Sequence, residues 1–263
     1  MGAFVQSLTL NGLPIFYERK DPVRWRVRNG GSCVLIPYAD LVKDGEYTYN
    51  NRKYKLPKNG KYEGDHTNSI HGTVLNKEWV ISLITPNSIT LNTNVKGRGF
   101  PSTLFVTVNY EISDGSFSTM FLLKNVGDCA APVMCGAHPY FIFENWWKLV
   151  CAGNIMKLSK YEENLVEVKD TVCDEINANT NKKLDEYYEG GGILYFISQD
   201  RKIEIERFNM PFFGVYNGVY CGERSVNIKP LTSAPNSFNN QYGLINLGLG
   251  QELHCGFKIR LIS

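Results

Sequence analysis

The sequence predicts an all-β protein, built as a large antiparallel, twisted β-sandwich. Apolar and polar residues alternate through the long stretch from Trp79 to Phe121, the period of half-buried strands. Turn dipeptides such as Asn11-Gly12 and Asp114-Gly115 separate strand-like runs at the spacing of hairpins. The composition includes 15 Tyr and 14 Phe with many Val, Ile and Thr, side chains that fit a pleated surface. A chain of 263 residues can bury a sizeable core. No repeat, low-complexity tract or linker divides it, so residues 1–263 read as one domain.

Taken in order, Val5 to Leu10 alternates, Asn11-Gly12 turns the chain and Leu13 to Tyr17 returns. Both turn residues accept positive φ. Arg24-Trp25-Arg26-Val27-Arg28 puts three arginines on one strand face; it reads either as an anion site or as a solvated face that resists edge pairing. Cys33 to Ile36 is a short apolar run stopped by Pro37, and Tyr38 to Gly45 reads as a loop. Asn50-Asn51 joins two further strand runs, and the polar stretch Lys58 to Asn68 is a loop leading to Ser69-Ile70-His71-Gly72.

Within the long alternating region, Ile89, Leu91, Thr93 and Val95 share one face, as do Leu104, Val106, Val108 and Tyr110. Lys160 to Glu189 is the most polar segment and reads as a long excursion with little strand, ended by Gly190-Gly191-Gly192. Strand character returns at Leu194 to Ile197, at Ile203 and Ile205, and from Phe212 to Tyr220. It continues at Val226 to Ile228 and closes with Leu253 to Leu261, after the polar connection Asn236 to Tyr242.

Charge is nearly balanced, with 28 Lys+Arg against 26 Asp+Glu and a net of +2. That gives no electrostatic reason to expect nucleic acid or a membrane surface as partner. The seven cysteines are odd in number and form no C-x-x-C pair, the pattern of buried small side chains rather than of a disulfide framework or zinc site. No basic-then-apolar leader opens the chain, Gln6 stands where a myristoylation signal needs Ser or Thr, and no run approaches membrane-spanning length. A cytoplasmic protein, monomer or homodimer, is the expectation.

Chemistry concentrates in Gly136-Ala137-His138-Pro139-Tyr140-Phe141. Pro139 fixes its own φ and biases His138 toward an extended backbone, and Gly136 and Ala137 leave room for a ligand to approach. Two readings stand: proton transfer to a hydroxyl-rich ligand, or a core histidine beside a bulge. Of the other histidines, His66 sits in a polar loop, His254 in the last strand, and His71 before Gly72. His71 and His138 near one ligand would serve as proton donor and hydroxyl partner. A metal fits less well, because no further ligand type falls at metal spacing nearby. Trp146 and Trp147 either stack on a sugar or cap the core edge.

Ile70-His71-Gly72 followed by His138-Pro139-Tyr140-Phe141 resembles the aldose 1-epimerase (galactose mutarotase) family, and the likeness runs through nearly the whole chain. Val34 to Tyr38 and Asp44 to Tyr47 are similar to its early block, Leu184-Asp185 to its substrate-binding aspartate, and Lys229 to Asn236 to its late block. The resemblance implies the family's supersandwich fold and interconversion of the α and β anomers of a small-molecule sugar by acid/base ring opening, without cofactor or metal. It implies His138 as acid and His71 as assisting group. Asp185, Lys229 and Asp40 would line the sugar site, with Tyr140 and Trp146 offering aromatic faces.

Two departures stand out. The family's base is a glutamate ahead of Pro-x-Thr, where this chain has Lys229, and its early Asn-Arg pair is here Asp40-Leu41. A protonated lysine has no lone pair to accept a proton. Four accounts follow. Another carboxylate replaces the glutamate, from among Asp40, Asp65, Glu189 and Glu223. Or Lys229 holds an anionic sugar, a phosphate or uronate. Or the protein binds sugar without turnover. Or Lys229 pairs with Asp40, an arrangement compatible with binding alone.

Overall fold

The computed structural model describes residues 2–18, 29–59, 67–97, 99–158, 175–177, 183–218, 221 and 224–262. The arginine-rich run 24–28, His66, Asp65 and Glu223 lie outside these residues. Among the described residues the strands form a nine-stranded and a seven-stranded sheet, with four two-stranded ladders beside them, all antiparallel. No helix among them is long and apolar enough to cross a membrane.

The hairpins form where the turn dipeptides stand. Asn11 and Gly12, Asn50 and Asn51, and Asp114 and Gly115 all have positive φ, the backbone that a two-residue hairpin loop requires. The third of these joins Leu104–Ser113 to Ser116–Asn125, ten residues each and paired along their whole length. With Ser88–Val95 and Glu252–Leu261 they build the centre of the nine-stranded sheet. That sheet ends at Val80–Ile84, where the register slips between Ile81 and Leu83; such a bulge discourages a further strand from adding.

The seven-stranded sheet runs in the order Ile155–Leu158, Asp185–Gly190, Phe212–Tyr216, Ser225–Leu231, Gly136–Ala137 and Val34–Leu35, with Tyr140–Ile142 also paired to Ser225–Leu231. One of its faces, carrying Val34, Tyr188, Phe213, Val226 and Ile228, packs on the nine-stranded sheet to make the main core. Trp147 belongs to this core, stacked on Phe196 at 6.4 Å. The opposite face, with Leu35, Tyr187, Phe212 and Leu231, is covered by a second cluster built from Tyr38, Val42, Tyr47 and Phe238. The sheet is therefore buried on both sides, and Ser225–Leu231 is buried at every position.

Two expectations are corrected. Tyr38 to Gly45 is not all loop: Leu41–Val42 pairs with Ser69–Ile70. The polar excursion ending at Glu189 contains a full strand, Asp185–Gly190, between Ile155–Leu158 and Phe212–Tyr216. Its polarity hides the strand because side chains at its ends reach solvent while Tyr187 and Tyr188 are buried on opposite faces.

Gly190, Gly191 and Gly192 follow with φ of 89, 83 and 54°, a run that side-chain-bearing residues would resist. Arg207 fastens this turn. Its guanidinium donates to the carbonyls of Gly190, Gly192 (2.9 Å) and Met210 (3.0 Å) and lies 5.0 Å over the Phe213 ring. Burial draws its guanidinium down to about 10, still charged at neutral pH. Arg207→Met should remove the donor from three carbonyls and cost roughly 2 kcal/mol, read as a lower urea midpoint with an unchanged slope.

Candidate functional site

The second face of the seven-stranded sheet carries the ionisable side chains. Gly136 pairs with Leu231 and Tyr140 with Asn227, which puts His138 level with Lys229 on the neighbouring strand. Lys229 pairs with Gly214, and Gly214 with Tyr187. Directly opposed residues of antiparallel strands project to one side. His138, Lys229, Gly214 and Tyr187 thus form one row across the sheet. A second row, Tyr140, Asn227, Tyr216 and Asp185, lies beside it. The Nδ2 of Asn227 donates to the Pro139 carbonyl at 2.7 Å and holds the turn that presents His138.

Asp40 and His71 come from the covering segment. Leu41 pairs with Ile70, and just beyond that pair the His71 N–H donates to the Asp40 carbonyl at 2.8 Å. Both residues have positive φ, 54 and 58°, a region that Asp and His enter more readily than most side chains. The late block locks this segment in place. The Asn236 N–H donates to the Leu41 carbonyl at 3.1 Å, and the Asn236 side chain accepts from the Lys43 N–H at 3.0 Å. Early and late sequence blocks thus meet at the site because each satisfies the other's backbone.

The side chains then converge. The rings of His71 and His138 stand 4.9 Å apart at 68°, and Tyr140 lies 5.0 Å from His138. On the other side, Lys229 Nζ is 3.7 Å from Asp40 Oδ1. The ammonium donates to the Tyr187 hydroxyl and sits 4.4 Å over that ring; the Tyr187 hydroxyl in turn donates to Asp40 Oδ1. The hydrogen bonds all point one way, from cation through hydroxyl to anion. Asp40 is 4% exposed, Lys229 3% and Tyr187 1%. At such burial the desolvation of two charges consumes most of their attraction. What the pair enforces is mutual dependence, since removing either partner strands a buried charge at a cost of about 3–5 kcal/mol.

Glycines act here as spacers between protein groups, which corrects the reading that they admit a ligand. A Cβ on Gly136 would stand 2.7 Å from Leu231 Cδ2, and one on Gly72 2.1 Å from the Ile36 carbonyl oxygen. Gly214 matters most: its Cβ would lie 2.7 Å from Tyr187 Cε1 and 2.8 Å from Lys229 Cε. The ammonium reaches the phenol across the space that a side chain would fill.

Of the residues singled out in the sequence, His71, His138, Asp40, Lys229 and Tyr140 are brought together. Asp185 stands on the same face, two residues along from Tyr187 and exposed. Trp146 lies past the end of Tyr140–Ile142, where the chain crosses to the nine-stranded sheet, and is 40% exposed. Glu189 accepts from the Tyr242 hydroxyl. Cys221 lies near Lys229 and donates to the Tyr216 carbonyl at 3.3 Å; burial pushes its thiol up to about 12, so it carries no thiolate at neutral pH. Among the described residues no three His, Cys, Asp or Glu side chains are grouped as metal ligands. Sequence reasoning missed Tyr187 and Asn227. The one signal for Tyr187 was a tyrosine pair shortly before the triple glycine.

The site thus joins His138, on the covered face of the smaller sheet, to His71, on the segment above it, and the comparisons show where such a fold belongs. Residues 1–260 match the aldose 1-epimerase family model, and the chain belongs to that family. It is 25% identical over 284 residues to the uncharacterized protein YihR of Escherichia coli strain K12, covering 98% of this chain and 87% of that one. The crystal structure of a galactose mutarotase-like protein from Lactobacillus casei superposes with a TM-score of 0.81 at 15% identity, over 99% of this chain and 94% of that one. A galactose mutarotase related enzyme from Lactobacillus acidophilus gives 0.78 at 20% identity, over 100% and 92%. At these identities the two structures bear on the fold alone.

Gly214→Ala should push Tyr187 and Lys229 apart. An overpacked methyl of this kind costs about 1–3 kcal/mol, expected as a lowered denaturation midpoint; a variant as stable as the parent would show that the space is not filled.

Proposed function

We propose that this chain, acting as one domain, is an aldose 1-epimerase that opens and recloses the ring of a free sugar, with Asp40 in the role of the absent glutamate. The observation that carries this reading is that the segment bringing His71 to His138 also bears a buried carboxylate, Asp40, whose carbonyl accepts from the His71 N–H. Asp40 takes the proton of the anomeric hydroxyl while His138 gives its proton to the ring oxygen, and the bond from C1 to the ring oxygen breaks. Rotation about the bond between C1 and C2 exposes the other carbonyl face. Closure returns the ring-oxygen proton to His138 and the Asp40 proton to the new anomeric hydroxyl, so the cycle balances. Acid and base groups within a hydrogen bond of their atoms suffice for this.

His71 supports the sugar or the His138 ring, Asp185 accepts sugar hydroxyls from the exposed end of its strand, and Tyr140 backs the His138 ring. Trp146 is the outlying member of the proposed set. The ammonium of Lys229 is directed at Asp40 and Tyr187, which favours a neutral aldose over a sugar phosphate or uronate. Cysteines outside any disulfide among the described residues suit a reducing compartment such as the cytoplasm.

A second reading, sugar binding without turnover, is favoured by the same ion pair, because an ammonium holding the carboxylate opposes its protonation. Polarimetry of freshly dissolved α-glucose and α-galactose separates the two. The protein should speed mutarotation; His138→Ala and Asp40→Asn should each lower the rate at least about 100-fold, and His71→Ala about tenfold. Lys229→Glu would set two carboxylates face to face and should lose activity. Sugar binding by calorimetry with an unchanged mutarotation rate supports the binding reading instead, and a Lys229→Glu variant faster than its parent would overturn Asp40 as base.

A further inference from the structure

We infer that Tyr187 is the positioning residue of this site: its hydroxyl holds Asp40 ionised and oriented by donating to Oδ1 while accepting from Lys229. The inference rests on the reading of Asp40 as the base. The Tyr187 hydroxyl is engaged by Lys229 on one side and by Asp40 on the other, so it acts through Asp40.

The geometry leaves the hydroxyl one arrangement of its proton. Lysine has only donors, so the Tyr187 oxygen must accept from Lys229 Nζ and direct its own hydrogen to Asp40. A carboxylate accepting such a bond is stabilised in its charged form. Tyr187 also carries the ammonium's influence further than distance alone allows. Lys229 Nζ is 3.7 Å from Oδ1, outside good hydrogen-bond range, and the phenol spans that gap with two bonds.

The ionisable groups around Asp40 come from several elements. Lys229 stands on Ser225–Leu231, Tyr187 on Asp185–Gly190, and His71 is bonded to Asp40 through the backbone, with His138 against its ring. Cys221 lies near Lys229 and stays a neutral thiol. Of these, Tyr187 bonds both charged members of the pair.

The test is Tyr187→Phe in the full chain. The ring stays to fill the second cluster, and only the hydroxyl is lost. Removing a donor to the charged form raises the pH at which Asp40 protonates. The acid limb of the pH profile of kcat/KM should therefore move up by about one pH unit, with KM within about twofold. A purely structural hydroxyl would lower stability and leave the limb in place. Gly214→Ala, which wedges between Tyr187 and Lys229, should move the limb in the same direction.

An arm independent of turnover uses carbon-13 carboxyl NMR, with Asp40→Asn identifying the Asp40 resonance. That resonance should titrate about one unit higher in Tyr187→Phe than in the parent. Mutarotation by the parent with an unmoved Asp40 titration in Tyr187→Phe overturns this inference alone. A moved titration in a protein that leaves mutarotation unchanged upholds the role of Tyr187 and removes the epimerase reading.

Discussion

A buried ammonium, a phenol and a carboxylate joined in one direction are the constraint on which the site depends. Lys229, Tyr187 and Asp40 come from three separate stretches of chain. Neither Lys229 nor Asp40 tolerates its burial without the other, because an uncompensated charge in such surroundings costs several kcal/mol. The sheet register has to be right to within one residue. A slip of one position along Ser225–Leu231 would turn Lys229 into the main core and bring Ile228 to the second face. The ion pair therefore penalises wrong registers as well as shaping the site.

The covering segment is what makes a site out of a sheet. Most antiparallel sheets of a sandwich bury one face and wet the other. Here the second face of the smaller sheet lies under Tyr38, Val42, Tyr47 and Phe238, and the hydrogen bonds between Asn236 and the chain around Leu41 and Lys43 fasten that cover. Polar groups on the covered face lose water and must find one another. That drives His71 against His138 and Asp40 toward Lys229, with little room for alternatives.

Much of this was legible before any coordinates. The hairpins at Asn11-Gly12, Asn50-Asn51 and Asp114-Gly115 follow from local backbone preference alone, and the alternation from Leu104 to Tyr110 marks its inward face directly. The meeting of His71 with His138 came from resemblance rather than from spacing, and the pairing of Lys229 with Asp40 was one of four open accounts. Tyr187 was out of reach. Adjacent tyrosines buried on opposite faces show no period of two, and a strand covered on both sides loses the alternation by which strands are found. Glycines were legible as positions without side chains, but not as to what fills the space. Only coordinates distinguish room for a ligand from room for a leucine.

The gap at Gly214 has a historical corollary. Where the resemblance implies an Asn-Arg pair and a distant glutamate, this chain carries its anion at position 40 and its cation at position 229. Gaining Asp40 while a glutamate still stood opposite would have crowded two anions together; gaining Lys229 first would have left a cation in an enclosed space with no counter-ion. Neither halfway state is comfortable, and Tyr187 and Lys229 sit alongside each other here because position 214 is bare. In this chain Gly214, Tyr187, Asp40 and Lys229 are therefore an interlocked set, each keeping its place through the others.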